Sequence, residues 1–395
     1  MRPPEPVLRQ TAGVTALLWI AAFSLLVWLW LACCHGLFWR TDVRLPPRRP
    51  PVRWPQVAVV VPARDEAAVL PLSLPTLLAQ KYPGRARVIL VDDHSSDGTG
   101  ALAAELRTMD GLELTVTTPP PLPPGWTGKL WALRHGVELA GPDVEYLLLT
   151  DADIAHGPDS LAELVAAAES NGLDLVSQMA RLRVATGWEQ LIVPAFVYFF
   201  AQLYPFRWSN RPGSRTAAAA GGCSLVRREA LERAGGVAAI RGAVIDDVSL
   251  ARAVKSSGGR TWLGLADEVD SVRPYPRLEQ LWRMVSRSAY AQLRHSPLLL
   301  LGTVLGLTLV YLVPPVATAA GLVAGAPAVA AAGGAAWALM AGTYLPMVRY
   351  YRQPAAAVLL LPVTAALYLL MTVDSAVQHW RGRGAAWKGR TYPPA

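Results

Sequence analysis

Two regimes of hydrophobic patterning divide the chain. Three stretches are nearly free of charge: about Thr11 to Cys34, about Pro297 to Pro346, and about Pro354 to Val373. A membrane crossing takes roughly 20 apolar residues. The first and third stretches are each one span, and the second is long enough for two. Between them, from about Val52 to His295, short apolar runs alternate with helix-length segments. Val57–Val61 is a continuous, β-branched run of the kind a buried parallel strand shows. Ala63–Leu78 has helical spacing, Arg87–Val91 is a second strand, and Thr99–Thr108 a helix. Leu112–Val116 reads as a third strand, Lys129–Ala140 as a helix, and Tyr146–Leu149 as a strand running into Thr150–Asp153. This alternation predicts an α/β domain, a mainly parallel sheet flanked by helices, with transmembrane helices on either side. The expected organisation is an N-terminal anchor at 1–36, the α/β domain at 52–295, a C-terminal transmembrane region at 296–380 and a basic tail at 381–395.

Composition supports a lipid environment. Apolar residues make up 52% of the chain and charged residues 17%, against about 25% charged in soluble domains. A cleaved signal peptide is disfavoured for the first span, which exceeds the usual apolar core of about 7–15 residues and lacks a small-residue cleavage site. Cys33, Cys34 and Cys223 form no disulfide framework, which suits a reducing compartment. Arg40, Arg44, Arg48, Arg49 and Arg53 follow the first span against a single Asp42. Positive loops stay inside, so the expectation is a multi-pass inner-membrane protein with its α/β domain facing the cytoplasm. Three C-terminal crossings would carry the basic Trp380–Arg390 outside; a re-entrant or interfacial segment is the alternative. The net charge of +8 calls for anionic lipid head groups and a phosphorylated ligand rather than nucleic acid, for which no module is evident. Leu191–Phe206 is apolar and bracketed by Trp188, Trp208, Arg207 and Arg211. It reads as an interfacial helix at a lipid entry, or else as a core helix.

Open α/β sheets bind ligands beyond the carboxyl ends of their strands, and that is where the acids are. Pro62-Ala63-Arg64-Asp65-Glu66 follows the first strand, Asp92-Asp93 with Ser95-Ser96-Asp97-Gly98-Thr99 the second, and Asp151-Ala152-Asp153 a later one. In extended chain, residues i and i+2 point the same way, so Asp151 and Asp153 could share Mg2+ or Mn2+ and offset a diphosphate leaving group. The bland alternative is a helix cap or an acidic turn. Asp92 or Asp93 suits a nucleobase N–H or a ribose hydroxyl, while Ser96 or Asp97 caps the next helix. Neither a P-loop nor a dinucleotide-binding glycine pattern is present. Lys129, opening a helix after Gly125-Trp126-Thr127-Gly128, is a candidate diphosphate contact or a solvated lysine. Of Asp246 and Asp247, one caps a helix and the other is free to take a proton from an attacking hydroxyl.

In this order, together with Gly221–Arg228 and Gln280-Leu281-Trp282-Arg283-Met284, these motifs resemble the family 2 glycosyltransferases, which have a GT-A fold. The resemblance covers about Val57 to Met284. It implies that Asp65 and Asp92 or Asp93 contact the uridine of a UDP-sugar, and that Asp151 and Asp153 hold the metal and the diphosphate side. It implies Asp247 as the base of an inverting displacement, with Asp246 standing where Glu is more usual. Gln280 and Arg283 match a motif that faces the diphosphate. Met284 replaces the Trp of that motif, which weakens a processive polysaccharide synthase. A non-catalytic scaffold would have lost one of these acids, and all are present. The spans, Gly125–Trp131 and the tail Trp387–Tyr392 are similar to the hopanoid-associated branch, itself similar to the ceramide glucosyltransferases. That implies a lipid acceptor, hopanoid or sphingolipid-like.

Overall fold

The computed structural model describes residues 5–107, 111–383, 386–387 and 390–391 of the 395. Thr108, the end of one expected helix, and Lys388, Gly389 and Tyr392 of the tail motif lie outside the described residues. The chain forms two compact units. One is built chiefly from Asp42–Arg183 and Phe206–Pro274; the other from residues up to Thr41, Val184–Pro205 and Tyr275–Arg381.

The first unit is centred on a sheet of eight strands: β1 Val57–Ala63, β2 Ala86–Asp92, β3 Glu113–Thr117, β4 Tyr146–Thr150, β5 Ile154–His156, β6 Leu175–Leu182, β7 Cys223–Arg227 and β8 Thr261–Ser271. Their order is β3-β2-β1-β4-β7-β6-β8-β5. The first four in that order run parallel, with Val57 opposite both Ala86 and Tyr146. β7 runs antiparallel to β4 and β6, and β5 antiparallel to β8, so the sheet is mixed. Successive residues of β1 serve opposite faces: Val57, Val59 and Val61 join one core cluster, Ala58 and Val60 another. Both faces are covered, which is why the strands read as unbroken apolar runs. Helix Gly128–Leu139 lies close on one face; a Cβ at Gly136 would stand 2.4 Å from Val60 Cγ1.

One expected helix starts late. The helical spacing read from Ala63 becomes a helix only at Leu70. Before it, Asp65 has a positive φ of 52°, and the Thr99 and Asp97 side chains accept the N–H groups of Glu66 and Ala67. Side-chain acceptors from the β2 loop therefore hold this stretch out of the helix. Three of the loop arginines pair with acids of the same unit: Arg44 with Asp267, Arg48 with Glu163 and Arg53 with Glu145.

The second unit is helical. Among the described residues, four of its helical segments are long and apolar enough to cross a membrane: Gly13–Cys33, Pro297–Val323, Pro327–Tyr350 and Ala355–Trp380. The second carries a π turn at Thr308–Leu312, where Pro314 and Pro315 have no N–H to give the ladder. Helix Gly187–Leu203, which contains the apolar Leu191 stretch, buries Ile192, Val193, Val197 and Tyr198 within this unit. Its Tyr198 hydroxyl meets Thr343 at 2.8 Å. Glu189 is fully buried. Its two oxygens accept the N–H groups of Ala185, Thr186 and Tyr275 at 2.8, 2.9 and 2.6 Å, so the charge is met by donors rather than left bare.

Candidate functional site

The sheet order reverses at β1, whose neighbours are β2 and β4. Ligands of open α/β sheets bind at such a reversal, and here the carboxyl ends of β1 and β4 meet two loops. The first, Gly125–Gly128, leads into helix Gly128–Leu139. Its Thr127 hydroxyl accepts Leu130 N–H at 3.4 Å as an N-cap, and its Thr127 N–H donates to Arg241 of the second loop at 2.9 Å. Buried Trp126 packs edge-on to Trp131, with the Arg134 guanidinium over both rings. The second loop ends in helix Asp246–Ser256.

These elements bring four of the expected residues together. Lys129 Nζ lies 2.8 Å from Asp151 Oδ1 and 2.9 Å from Asp246 Oδ2. Asp247 Oδ2 accepts Gly221 N–H at 2.9 Å, and its Oδ1 accepts Val248 N–H at 2.7 Å. Gly221 is the centre of the group: a Cβ built there would be 3.4 Å from Lys129 Nζ, 3.5 Å from Asp247 Oδ2 and 3.7 Å from Asp151 Oδ2. A small pocket opens here, walled also by Pro62, Thr150 and Leu133. The lysine is not solvated: its side chain is 17% exposed.

Electrostatics distinguishes the acids. Burial, and then the charge of Asp246, push the Asp247 carboxyl up to about 7 against the pull of Lys129 and two backbone donors. Burial also raises Asp151, with Asp153 and Asp246 adding repulsion and Lys129 opposing. Burial works against the Lys129 ammonium, but Asp151 and Asp246 outweigh it and raise its pKa. One buried acid raised above its ordinary range thus stands beside an ion-paired one.

The other expected residues fall into separate arrangements. Asp65 Oδ1 accepts Ser96 N–H at 2.8 Å, and Asp65 N–H donates to Ser95 Oγ at 2.9 Å. Asp92 Oδ1 accepts Ser95 N–H at 3.2 Å. The serines thus knit the ends of β1 and β2 together. Asp93 is buried beside Arg64, at 3.8 Å. Asp97 accepts Thr99 N–H at 3.0 Å, but the N-cap of that helix is Gly98, at a positive φ of 88° and without a side-chain cap bond, so neither Ser96 nor Asp97 is the cap the sequence suggested. Gln280 and Arg283 stand on helix Leu278–Gln292 of the helical unit, where Gln280 accepts Arg277 N–H and Arg283 pairs with Glu279.

Asp153 departs from the expectation of an extended pair. β4 stops at Thr150, and Ile154 N–H donates to Asp151 C=O to close a turn. The pleat therefore does not align the two carboxylates, and each has its own cation. Asp153 Oδ2 accepts Arg273 Nε–H at 2.9 Å and the Ser271 hydroxyl at 3.2 Å; Arg273 Nη2 reaches Glu66 Oε2 at 2.5 Å. Arg273 was invisible in the sequence, since it follows a strand of the opposite half and matches no motif. Among the described residues no group of three or more His, Cys, Asp or Glu could hold a metal. Two carboxylates at one strand end are few for Mg2+ or Mn2+, hard ions that would need water and substrate phosphate to complete their shells there.

A sequence profile described as Glycosyltransferase like family 2 matches residues 55–291, more than half of the chain. The chain belongs to glycosyltransferase family 2. An undecaprenyl-phosphate 4-deoxy-4-formamido-L-arabinose transferase of Aeromonas hydrophila subsp. hydrophila is 33% identical over 129 residues, 32% of this chain and 37% of that protein. A polyprenol monophosphomannose synthase of Mycolicibacterium smegmatis is 33% identical over 121 residues, 30% of this chain and 42% of that one. The matched stretches span less than half the length of either relative. Among solved structures, a mannosyltransferase of Pyrobaculum calidifontis in complex with GDP-Man and Mn2+ shares the fold at a TM-score of 0.51 and 21% identity, over 94% of this chain and 98% of that chain. The GT-A-type fold of this family 2 glycosyltransferase, with apolar helices at both ends, agrees with the sequence expectation.

Proposed function

We propose that this protein transfers a sugar from a nucleoside-diphosphate donor to the hydroxyl of a lipid acceptor, with inversion, at the cytoplasmic face of a bacterial-type inner membrane. The observation that carries the reading is the convergence on Gly221, where Lys129, Asp151 and Asp246 form one ion-paired group beside Asp247. In this scheme the acceptor oxygen attacks the anomeric carbon as the bond to the diphosphate breaks. Asp247 takes the acceptor's proton, and the nucleoside diphosphate leaves with the bonding pair. Asp151 and Asp153 would hold Mg2+ or Mn2+, whose charge offsets that growing on the leaving group. Asp65 and Asp92 would meet the nucleoside, which the sequence resemblance makes UDP.

Asp247 favours one class of acceptor. A lipid phosphate arrives already ionised and needs no base, whereas a hydroxyl must lose its proton as it attacks. A buried carboxylate poised near 7 therefore supports a hydroxyl acceptor of the hopanoid or sphingolipid kind. The curated relatives, named for undecaprenyl phosphate and polyprenol, support the second reading, a polyprenyl phosphate. The test is release of UDP or GDP by the purified full chain in detergent, over a panel of nucleotide sugars, with a polyprenyl phosphate or a hydroxylated polycyclic lipid. Lipid-dependent release from one donor supports the proposal, and the productive lipid decides the acceptor. No release with any pair, from protein that melts cooperatively, would refute it.

A further inference from the structure

We propose that Lys129 and Arg273 are resident counter-cations of the donor site, and that a divalent ion takes Asp151 only when a diphosphate draws the Lys129 ammonium away. The inference rests on the donor-site reading above and adds a rule for the order of events within it.

Both candidate ligands are already engaged. Lys129 occupies one oxygen of Asp151 and also holds Asp246, so a single ammonium ties the end of β4 to the helix that carries Asp247. Arg273 occupies one oxygen of Asp153 and ties it to Glu66 behind β1. A bare Mg2+ or Mn2+ would meet two carboxylates, each with a cation within hydrogen-bond distance, and among the described residues no group of three acids, imidazoles or thiols is placed to hold it. Such ions prefer about six oxygens, and like charges a few ångströms apart repel strongly in a partly buried site. A diphosphate removes both obstacles, because it brings oxygens for the metal and a new anionic partner for Lys129.

The two cations differ in how easily they let go. Lys129 projects from the first turn of helix Gly128–Leu139, whose start is fixed by the Thr127 cap and the Thr127–Arg241 hydrogen bond. Its four-carbon stem can swing while its backbone stays, and an ammonium is a compact charge without fixed directions. Arg273 grips two acids through two nitrogens, a geometry that resists rotation. Lys129 is therefore the group that exchanges partners, and Arg273 the one that stays and positions Asp153.

Mn2+ binding, read by loss of the free-ion electron paramagnetic resonance signal, tests this on the full chain in detergent with no turnover. Wild type should bind Mn2+ weakly alone, and UDP or GDP should tighten it about tenfold or more, an ordinary coupling between two ligands. Lys129→Met should tighten nucleotide-free binding several-fold and shrink the nucleotide gain, while Lys129→Arg should keep the wild-type pattern. Asp246→Asn, which leaves Lys129 wholly to Asp151, should move nucleotide-free binding the other way. If Lys129→Met melts cooperatively yet binds nucleotide-free Mn2+ no better than wild type, the exchange is wrong although the site reading stands. If neither nucleotide promotes Mn2+ binding in any variant, the donor-site reading falls and the exchange falls with it.

Discussion

Replacing Asp247 by Asn removes one carboxylate and leaves a single amide oxygen, which can accept from either the Gly221 or the Val248 N–H but not both, since these bond opposite oxygens of the carboxylate. Two effects follow, and they run in opposite directions. Burial and Asp246 lift this carboxyl from its ordinary 3.8 to about 7. A base acts only when ionised, so wild-type transfer should rise with pH to a half-maximum near 7. Below that it should fall about tenfold per pH unit, and Asp247→Asn should lose about 10²–10⁴-fold with a flat residual profile. Stability responds with the other sign. A folded-state pKa above the unfolded one means that the folded chain holds the extra proton between pH 3.8 and about 7, so stability is full below that window and is lost as pH rises through it. At roughly 1.4 kcal/mol per pH unit the ceiling on that loss is on the order of 4 kcal/mol. Asparagine is neutral throughout, so the melting temperature of Asp247→Asn relative to wild type should rise between about pH 4 and pH 8, on top of a pH-independent cost for the backbone N–H that loses its acceptor. The assays are nucleoside-diphosphate release and thermal melting across that range. A wild-type rate that is flat through neutrality, with Asp247→Asn retaining more than about a tenth of it, would end the assignment as base.

Three further outcomes are expected. Asp246→Asn removes a repelling neighbour, so the ascending limb of the pH profile should move to lower pH; Lys129→Met removes an attracting one and should move it higher. Chelator should abolish nucleoside-diphosphate release, and added Mn2+ should restore it; full activity in excess chelator would remove Asp151 and Asp153 as metal holders. Gly136→Val puts a side chain where Val60 Cγ1 already stands, and should cost about 1–3 kcal/mol of stability in a melting experiment.

The parallel half of the fold was legible because β1, β2 and β4 are covered on both faces and must be apolar throughout. Their acids stand out at the ends by contrast with what precedes them. The four apolar helices were legible by length alone. Legibility fell where contacts between distant segments decide the outcome. Asp65 leaves the helical pattern because Ser96, Asp97 and Thr99 supply hydrogen bonds from another loop. The antiparallel β7 carries Cys223–Arg227 against β4, and no local periodicity announces that direction. Arg273 acquires its role from two acids more than a hundred residues away in the chain. Lys129 was legible as a candidate from its loop, but its partnership with Asp151 and Asp246 was not.

The alternation of the chain between its two units bears on how such an enzyme can be cut or recombined. The stretch that defines the family, 55–291, includes the helices Gly187–Leu203 and Leu278–Gln292, and both belong with the apolar helices. A soluble fragment ending before Ser296 would carry them without Tyr311, Thr343 or Ser375, the residues that receive them. Tyr198, fully buried against Thr343 and Tyr344, would then be bared to water, at about 1.5–3 kcal/mol for a large side chain. The sugar-transfer sequence is thus no exchangeable cassette. A chimera that exchanges the strand ends around Gly221 should leave these two helices with the apolar helices they pack against.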